Sequence, residues 1–306
     1  MSKLLRKRAI RISVLCAVLC SLALLTACDR SKKNGSETTP TVTAAPAASG
    51  CEVHILDIGK ADAIFLRADG VTMLIDAGYP SSADTVIAYL KAQSVSKLDY
   101  VIMTHGDIDH VGGMADVLRE FAVGQMFISP KKEKSDAYTA MVAAVKEKNI
   151  SCISPEVGAQ YTFGNGSFTV LAPGPKALKE GSDNDASIAI RLVYGERSFL
   201  LMGDALSTTE KELIDSSYTI RADVLKTGHH GKSDATNKKF LKAVQPKYAV
   251  ICCGRTEDGE EGTPATKVLD LLSDFHVITY RTDLNGTVVF KTDGTTLTCN
   301  CDTEQQ

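Results

Sequence analysis

Four potential metal ligands, His105, Asp107, Asp109 and His110, fall within six residues directly behind the apolar run Tyr100-Val101-Ile102-Met103. That run reads as a buried strand, so the fold must drive a strand into its core and open a polar site at the strand's end. On extended backbone alternate residues share a face, which predicts that His105, Asp107 and Asp109 converge and that a turn at His110 adds a fourth group. Neutral imidazole with carboxylate suits divalent Zn, Mn or Fe better than Ca or Cu(I). A lone His-x-Asp would read as a polar loop; the full run, with matching groups downstream, reads as a metal site.

Similar junctions recur along the chain. Asp76 closes the strand-like Leu74-Ile75-Asp76, where a carboxylate can orient a metal-ligating histidine from behind. Asp204 follows Leu200-Leu201-Met202-Gly203, His229-His230 follow Val224-Leu225-Lys226 by two residues, and Asn184-Asp185-Ala186-Ser187 precede the apolar Ile188-Ala189-Ile190. Such strand-to-loop positions are where layered α/β folds keep their sites. Periodicity predicts strands over 53–57, 63–67, 72–76, 160–163, 167–172, 188–194, 198–202, 222–226, 248–252 and 276–280. Helices are predicted over 82–93, 114–121, 136–148, 207–216, 237–244 and 263–273, with Gly195-Glu196 as a hairpin turn. Strands first and then alternating units, twice over, predict two sheets each covered by helices.

Residues 1–27 read as a leader. Lys3, Arg6, Lys7, Arg8 and Arg11 precede a short apolar core over 12–25, too short for a comfortable membrane span. Leu25-Thr26-Ala27-Cys28 resembles a bacterial lipobox, which implies cleavage before Cys28, lipidation of its thiol and attachment to the outer face of the cell membrane. Residues 28–50, rich in Ser, Thr, Ala and Pro, read as a flexible tether, and 51–306 as one domain. The net charge is −3, and losing the five leader cations takes it to −8. No basic stripe compensates; Lys131-Lys132-Glu133-Lys134 reads as a solvated stretch. A protein gripping nucleic acid by its phosphates alone should be more basic. Of nine cysteines, Cys16, Cys20 and Cys28 belong to the leader and lipid site, leaving six. Export permits disulfides, and a bridge from Cys51 to Cys299 or Cys301 would join the two ends of the domain.

These motifs, in this order, identify the chain as resembling a metallo-β-lactamase-fold hydrolase, similar to the soluble domain of the competence protein ComEC. The opening Leu56-Asp57-Ile58-Gly59-Lys60-Ala61-Asp62-Ala63-Ile64 resembles that group's Asp-Val-Gly-Gln-Gly-Asp, and the likeness spans essentially all of 51–298. It implies a four-layer αβ/βα sandwich with two divalent ions, Zn or Mn, on one edge. It carries metal-ligand roles to His105, Asp107, Asp109 and His110, a bridging role to Asp204, and a metal or phosphate contact to His229, His230 or both. Asn184, Ser187 and Lys60 would line the substrate side, while Asp57, Asp62 and Asp76 would support the ligands. There are departures. Asp107 stands where the wider superfamily has histidine, which favours Mn over Zn somewhat. Lys60-Ala61 replaces Gln-Gly, and no histidine stands near Gly262-Thr263-Pro264.

The resemblance implies a phosphodiesterase or nuclease using a metal-bridged hydroxide, with Asp109, His229, His230 and Lys226 around the reaction centre. Lys226 reads equally as a surface lysine at a strand end. The expected partner is a phosphodiester in DNA, RNA or a cell-envelope polymer, with the membrane reached through the Cys28 lipid and no protein partner read. Two alternatives stand beside it. One is a cell-envelope phosphodiesterase such as a phosphorylcholine esterase, although the chain has no Trp for choline capture. The other is a binding lipoprotein that keeps the fold without turnover.

Overall fold

The computed structural model describes residues 49–254 and 263–302. The expected leader, Cys28 and the tether up to residue 48 lie outside the described residues, as does Gly262. Among the described residues no helix is long and apolar enough to cross a membrane.

In chain order the strands are β1 (Cys51–Ile55), β2 (Ile64–Ala68), β3 (Val71–Ile75), β4 (Lys97–Met103), β5 (Ala122–Ile128), β6 (Cys152–Ile153), β7 (Gln160–Phe163), β8 (Gly166–Ala172), β9 (Ala189–Tyr194), β10 (Arg197–Leu201), β11 (Val224–Lys226), β12 (Tyr248–Ile251), β13 (Ile278–Arg281), β14 (Val288–Thr292) and β15 (Leu297–Cys299). One sheet runs β15-β14-β1-β2-β3-β4-β5-β6, the other β13-β12-β11-β10-β9-β8-β7. The period of two along each strand builds the layers. Leu66 and Ala68 of β2, Met73 and Ile75 of β3, Phe199 and Leu201 of β10 and Val250 of β12 share one buried cluster between the sheets. Their neighbours Phe65, Leu74, Leu200 and Ala249 fall in the clusters on the outer faces.

Helices cover both outer faces. Helices α1 (Ala83–Ala92), α2 (Ile108–Val111), α3 (Met114–Glu120) and α4 (Asp136–Glu147) bring Val86, Leu90, Val111, Met114, Leu118 and Met141 onto the first sheet. On the second sheet α5 (Pro175–Glu180) precedes α6 (Ser207–Asp215), α7 (Lys238–Val244) and α8 (Thr266–Asp274), which bury Leu213, Phe240, Leu241 and Leu272. Each large apolar side chain so covered contributes about 1.5–3 kcal/mol. The result is the expected helix–sheet–sheet–helix sandwich. Gly195 (φ +58°) turns the β9–β10 hairpin where the sequence predicts it.

Two expectations change. No element was predicted over 122–128, yet this run is β5, parallel to β4. Gly124 and Gln125 break its apolar pattern, and a Cβ at Gly124 would come within 2.6 Å of the Asp99 carbonyl, so close backbone approach demands that glycine. The bridge between domain ends is also absent: all six described cysteines are free thiols. Cys51 pairs with Thr292 of β14 and Cys299 with Phe290 on that strand's other side. Two strand spacings amount to about 9–10 Å, beyond disulfide reach.

Candidate metal centre

The strand ends gather at one edge of the sandwich. β4 stops at Met103, so residues 104–107 form a loop and α2 begins at Ile108. This corrects the predicted mechanism of convergence: a loop and one helical turn, rather than strand alternation, bring His105, Asp109 and His110 together. Gly106 is required in that loop, since a Cβ there would lie 2.0 Å from Glu133 Cγ. Asp107 stands just before α2 without a capping hydrogen bond, its side chain about half exposed and 3.5 Å from His105 Nε2.

Hydrogen bonds set the tautomer of each central imidazole. Asp76, at φ +57° past β3, accepts from Thr104 N–H (2.8 Å), from Thr104 Oγ1–H (2.6 Å) and from His110 Nδ1–H (2.8 Å). With its hydroxyl proton given to Asp76, Thr104 Oγ1 accepts from His105 Nδ1 at 3.2 Å. His230 Nδ1 donates to the Cys252 carbonyl at 2.9 Å. All three rings therefore turn an Nε2 lone pair inward, the arrangement that ligating histidines adopt when a carboxylate, hydroxyl or carbonyl holds the other nitrogen.

Those lone pairs meet carboxylates. His110 Nε2 lies 3.3 Å from Asp204 Oδ1, and His230 Nε2 lies 3.4 Å from both Asp109 Oδ2 and Asp204 Oδ2. His105, His110 and Asp204 offer ligand atoms within 4.8 Å of one another, as do Asp109, His110 and His230. The Nε2 atoms of His105, His110 and His230 and Oδ1 of Asp204 are buried without a hydrogen-bond partner. Each such orphan costs about 1–3 kcal/mol in a closed site; divalent metal held by either group would satisfy the atoms it gathers, so the donor set fits the metal. The electrostatics agree. Burial pushes the Asp204 carboxyl up, but His230 and His110 outweigh it and hold it well below the carboxylate range. Burial pushes His110 down, and Asp204 and Asp76 more than reverse this. The cluster calls for positive charge.

Lys226 requires a correction. It is fully buried below the cluster, with Nζ paired to Asp62 and donating to the Gly203 carbonyl at 2.9 Å. It is neither a surface lysine nor a donor to substrate; it neutralises the carboxylates from beneath. Asp62 sits there as a support, 3.6 Å from His230 Nδ1. Ser187 is likewise closed to substrate, fully buried, and accepts the Asp204 N–H at 3.1 Å. Asp57 is exposed, and its recorded bond is a backbone N–H to Thr287 Oγ1, so it does not support the ligands. Lys60 sits at the edge with Nζ 2.5 Å from Asp109 Oδ2.

The adjacent histidines separate. Both take left-handed backbone, φ +46° and +53°, between Gly228 and Gly231, a strain of about 1–3 kcal/mol each. His230 turns inward. His229 stays at the rim: Nδ1 donates to Asp234 (2.9 Å), while Nε2 accepts from Lys232 Nζ (2.8 Å) and Asn184 Nδ2 (3.1 Å). Thr104, Lys232 and Asp234 are site residues the sequence reading passed over. Thr104 stood beside the first histidine, and Lys232-Ser233-Asp234 followed the pair, which was the available signal.

The model for the Metallo-beta-lactamase superfamily matches residues 56–255. ComE operon protein 3 of Bacillus subtilis (strain 168) is 31% identical over 264 residues, covering 78% of this chain and 33% of that protein. Competence protein ComA of Neisseria gonorrhoeae is 28% identical over 241 residues, covering 78% and 32%. The chain thus spans about a third of the length of these curated relatives. The crystal structure of YhfI, a metallo-beta-lactamase fold protein of Bacillus subtilis, superposes with a TM-score of 0.52 at 12% identity, covering 80% of this chain and all of YhfI.

Proposed function

Since this chain belongs to the Metallo-beta-lactamase superfamily, we propose that it is a metal-dependent phosphodiesterase or nuclease. The observation that carries this reading is the set of four buried, unpartnered atoms, Nε2 of His105, His110 and His230 and Oδ1 of Asp204. Residues of this set would hold divalent metal, which when bound supplies Lewis acidity and lowers the pKa of water.

The surrounding residues do the rest. Asp76 and Thr104 lock the ring orientations of His110 and His105, and Lys226 balances Asp62 and Asp204 from below. His229 is held in one tautomer by Asp234, so its Nε2 serves as the proton acceptor at the rim. Burial keeps this ring neutral, with Lys232 acting in the same direction. Lys232 and Asn184, already donating toward that nitrogen, can turn to non-bridging oxygens of a phosphodiester. Beside His105, burial first and then Asp183 and Asp107 raise the Glu133 carboxyl, while Lys131 pairs with Asp183. A chain of net negative charge without a basic stripe favours a short or single-stranded phosphodiester over a duplex gripped along its backbone.

A lipid on Cys28, with residues 29–50 as tether, would keep the enzyme on the outer face of the cell membrane. The test of activity is hydrolysis of bis-p-nitrophenyl phosphate with Mn²⁺ or Zn²⁺. Asp109→Ala and His110→Ala should abolish it in folded protein, and unchanged turnover rejects the assignment. A panel of single-stranded DNA, RNA, cyclic dinucleotides and teichoic-acid fragments then narrows the substrate. Metal binding without turnover on any of them would point to a binding lipoprotein. Cys28→Ala should release the protein from membranes, and continued retention removes the lipid anchor.

A further inference from the structure

We propose that the Lys60 ammonium takes the place of a second metal ion, so that each chain holds one divalent cation and one built-in cation. This rests on the metal reading above and departs from the superfamily's usual two ions.

The two ligand groups differ in what they still lack. In the first, His105 Nε2, His110 Nε2 and Asp204 Oδ1 are all buried and unpartnered. In the second, formed by Asp109, His110 and His230, the two Nε2 atoms are likewise unpartnered, but the carboxylate already has its cation: Lys60 Nζ lies 2.5 Å from Asp109 Oδ2, and the Lys60 side chain is only 12% exposed. The loop that carries Lys60 is tied to the same ligand. Asp62 N–H donates to the Asp109 carbonyl at 3.1 Å, Gly78 N–H to the Asp62 carbonyl at 2.9 Å, and Ala61 N–H to the Gly59 carbonyl at 3.0 Å. Lys60 therefore stands two residues before Asp62, whose N–H is bonded to α2.

Charge counting leads the same way. Around the cluster the buried carboxylates are Asp62, Asp76, Asp109 and Asp204, four in all, and Lys226 and Lys60 supply two ammonium groups against them. Four less two leaves two negative charges, which one divalent ion neutralises. A second ion at Asp109 would stand against the Lys60 ammonium in a largely buried site, where like charges are weakly screened.

The experiment counts ions. The full-length chain, stripped with chelator, reloaded with Mn²⁺ and freed of excess, is analysed for metal per chain, together with Lys60→Gln and Lys60→Met. Circular dichroism establishes that each is folded. Wild type should hold one ion and give the paramagnetic resonance of an isolated Mn²⁺. At least one variant should hold two and give the spectrum of an exchange-coupled pair. Two ions in wild type overturn this inference alone. One ion in wild type and in both folded variants overturns it as well. No ion in any form overturns the metal reading beneath it, and the inference with it.

Discussion

Asp76→Asn tests whether the centre depends on a fixed tautomer. Asp76 is completely buried and its backbone is left-handed, at φ +57°, a conformation that Asn tolerates nearly as well as Asp. The substitution therefore changes hydrogen bonding with little backbone cost. The amide oxygen can still accept the Thr104 N–H. The amide NH₂ replaces the oxygen that now accepts from Thr104 Oγ1 at 2.6 Å and His110 Nδ1 at 2.8 Å. A donor there forces His110 to present an Nδ1 lone pair, which moves its proton to Nε2, toward Asp204. Losing such an orienting partner lowers metal affinity about 10–100-fold, or about 1.4–2.8 kcal/mol. Competition with a chromogenic chelator measures the Mn²⁺ or Zn²⁺ affinity, and circular dichroism reports the fold. Wild-type affinity in folded Asp76→Asn would refute the claim that the Asp76–His110 bond prepares a ligand.

Other outcomes follow from the same geometry. His105→Ala should lose metal binding outright, whereas His229→Ala should keep it and lose about 10²–10⁴-fold in turnover; metal analysis beside kinetics separates the two. Lys226→Met strands Asp62 without its ion pair and should cost about 3–5 kcal/mol in denaturant unfolding of the metal-free protein. Away from the site, burial pushes Glu52 up, but Lys291 and Arg67 outweigh it and hold it at about 2. A depressed carboxyl stabilises the fold above its unfolded value near 4.5 and loses that contribution as pH falls toward 2. Glu52→Gln should thus lower the unfolding midpoint at pH 6 and make little difference at pH 2, and an equal loss at both would exclude the ion pairs as its cause.

Much of this centre was legible in the linear chain because its residues sit where apolar runs end. Asp76, His105 and Asp204 each follow a run whose burial is fixed by composition. A polar group directly after such a run must face solvent, a partner or an ion. The misread residues share a different feature. Lys226 looks like any lysine at a strand end until Asp62, far away in sequence, meets it inside the protein. Ser187 and Asp57 flank the site in sequence, yet Ser187 turns inward to the Asp204 backbone and Asp57 stays in water. β5 was hidden by Gly124, whose purpose exists only because Asp99 passes close by.

The linear order of residues, then, determined that two helix-covered sheets would form and that acids and imidazoles would collect at their ends. Period-two burial and strand-terminal charge are local properties of the chain. Which imidazole faces inward, which lysine sits below the cluster and which caps Asp109 were decided only in three dimensions. Hydrogen bonds and ion pairs between segments far apart in sequence set those orientations. His229 and His230 make the division plain: neighbours of one residue type, one is aimed inward by the Cys252 carbonyl and the other is held at the rim by Asp234.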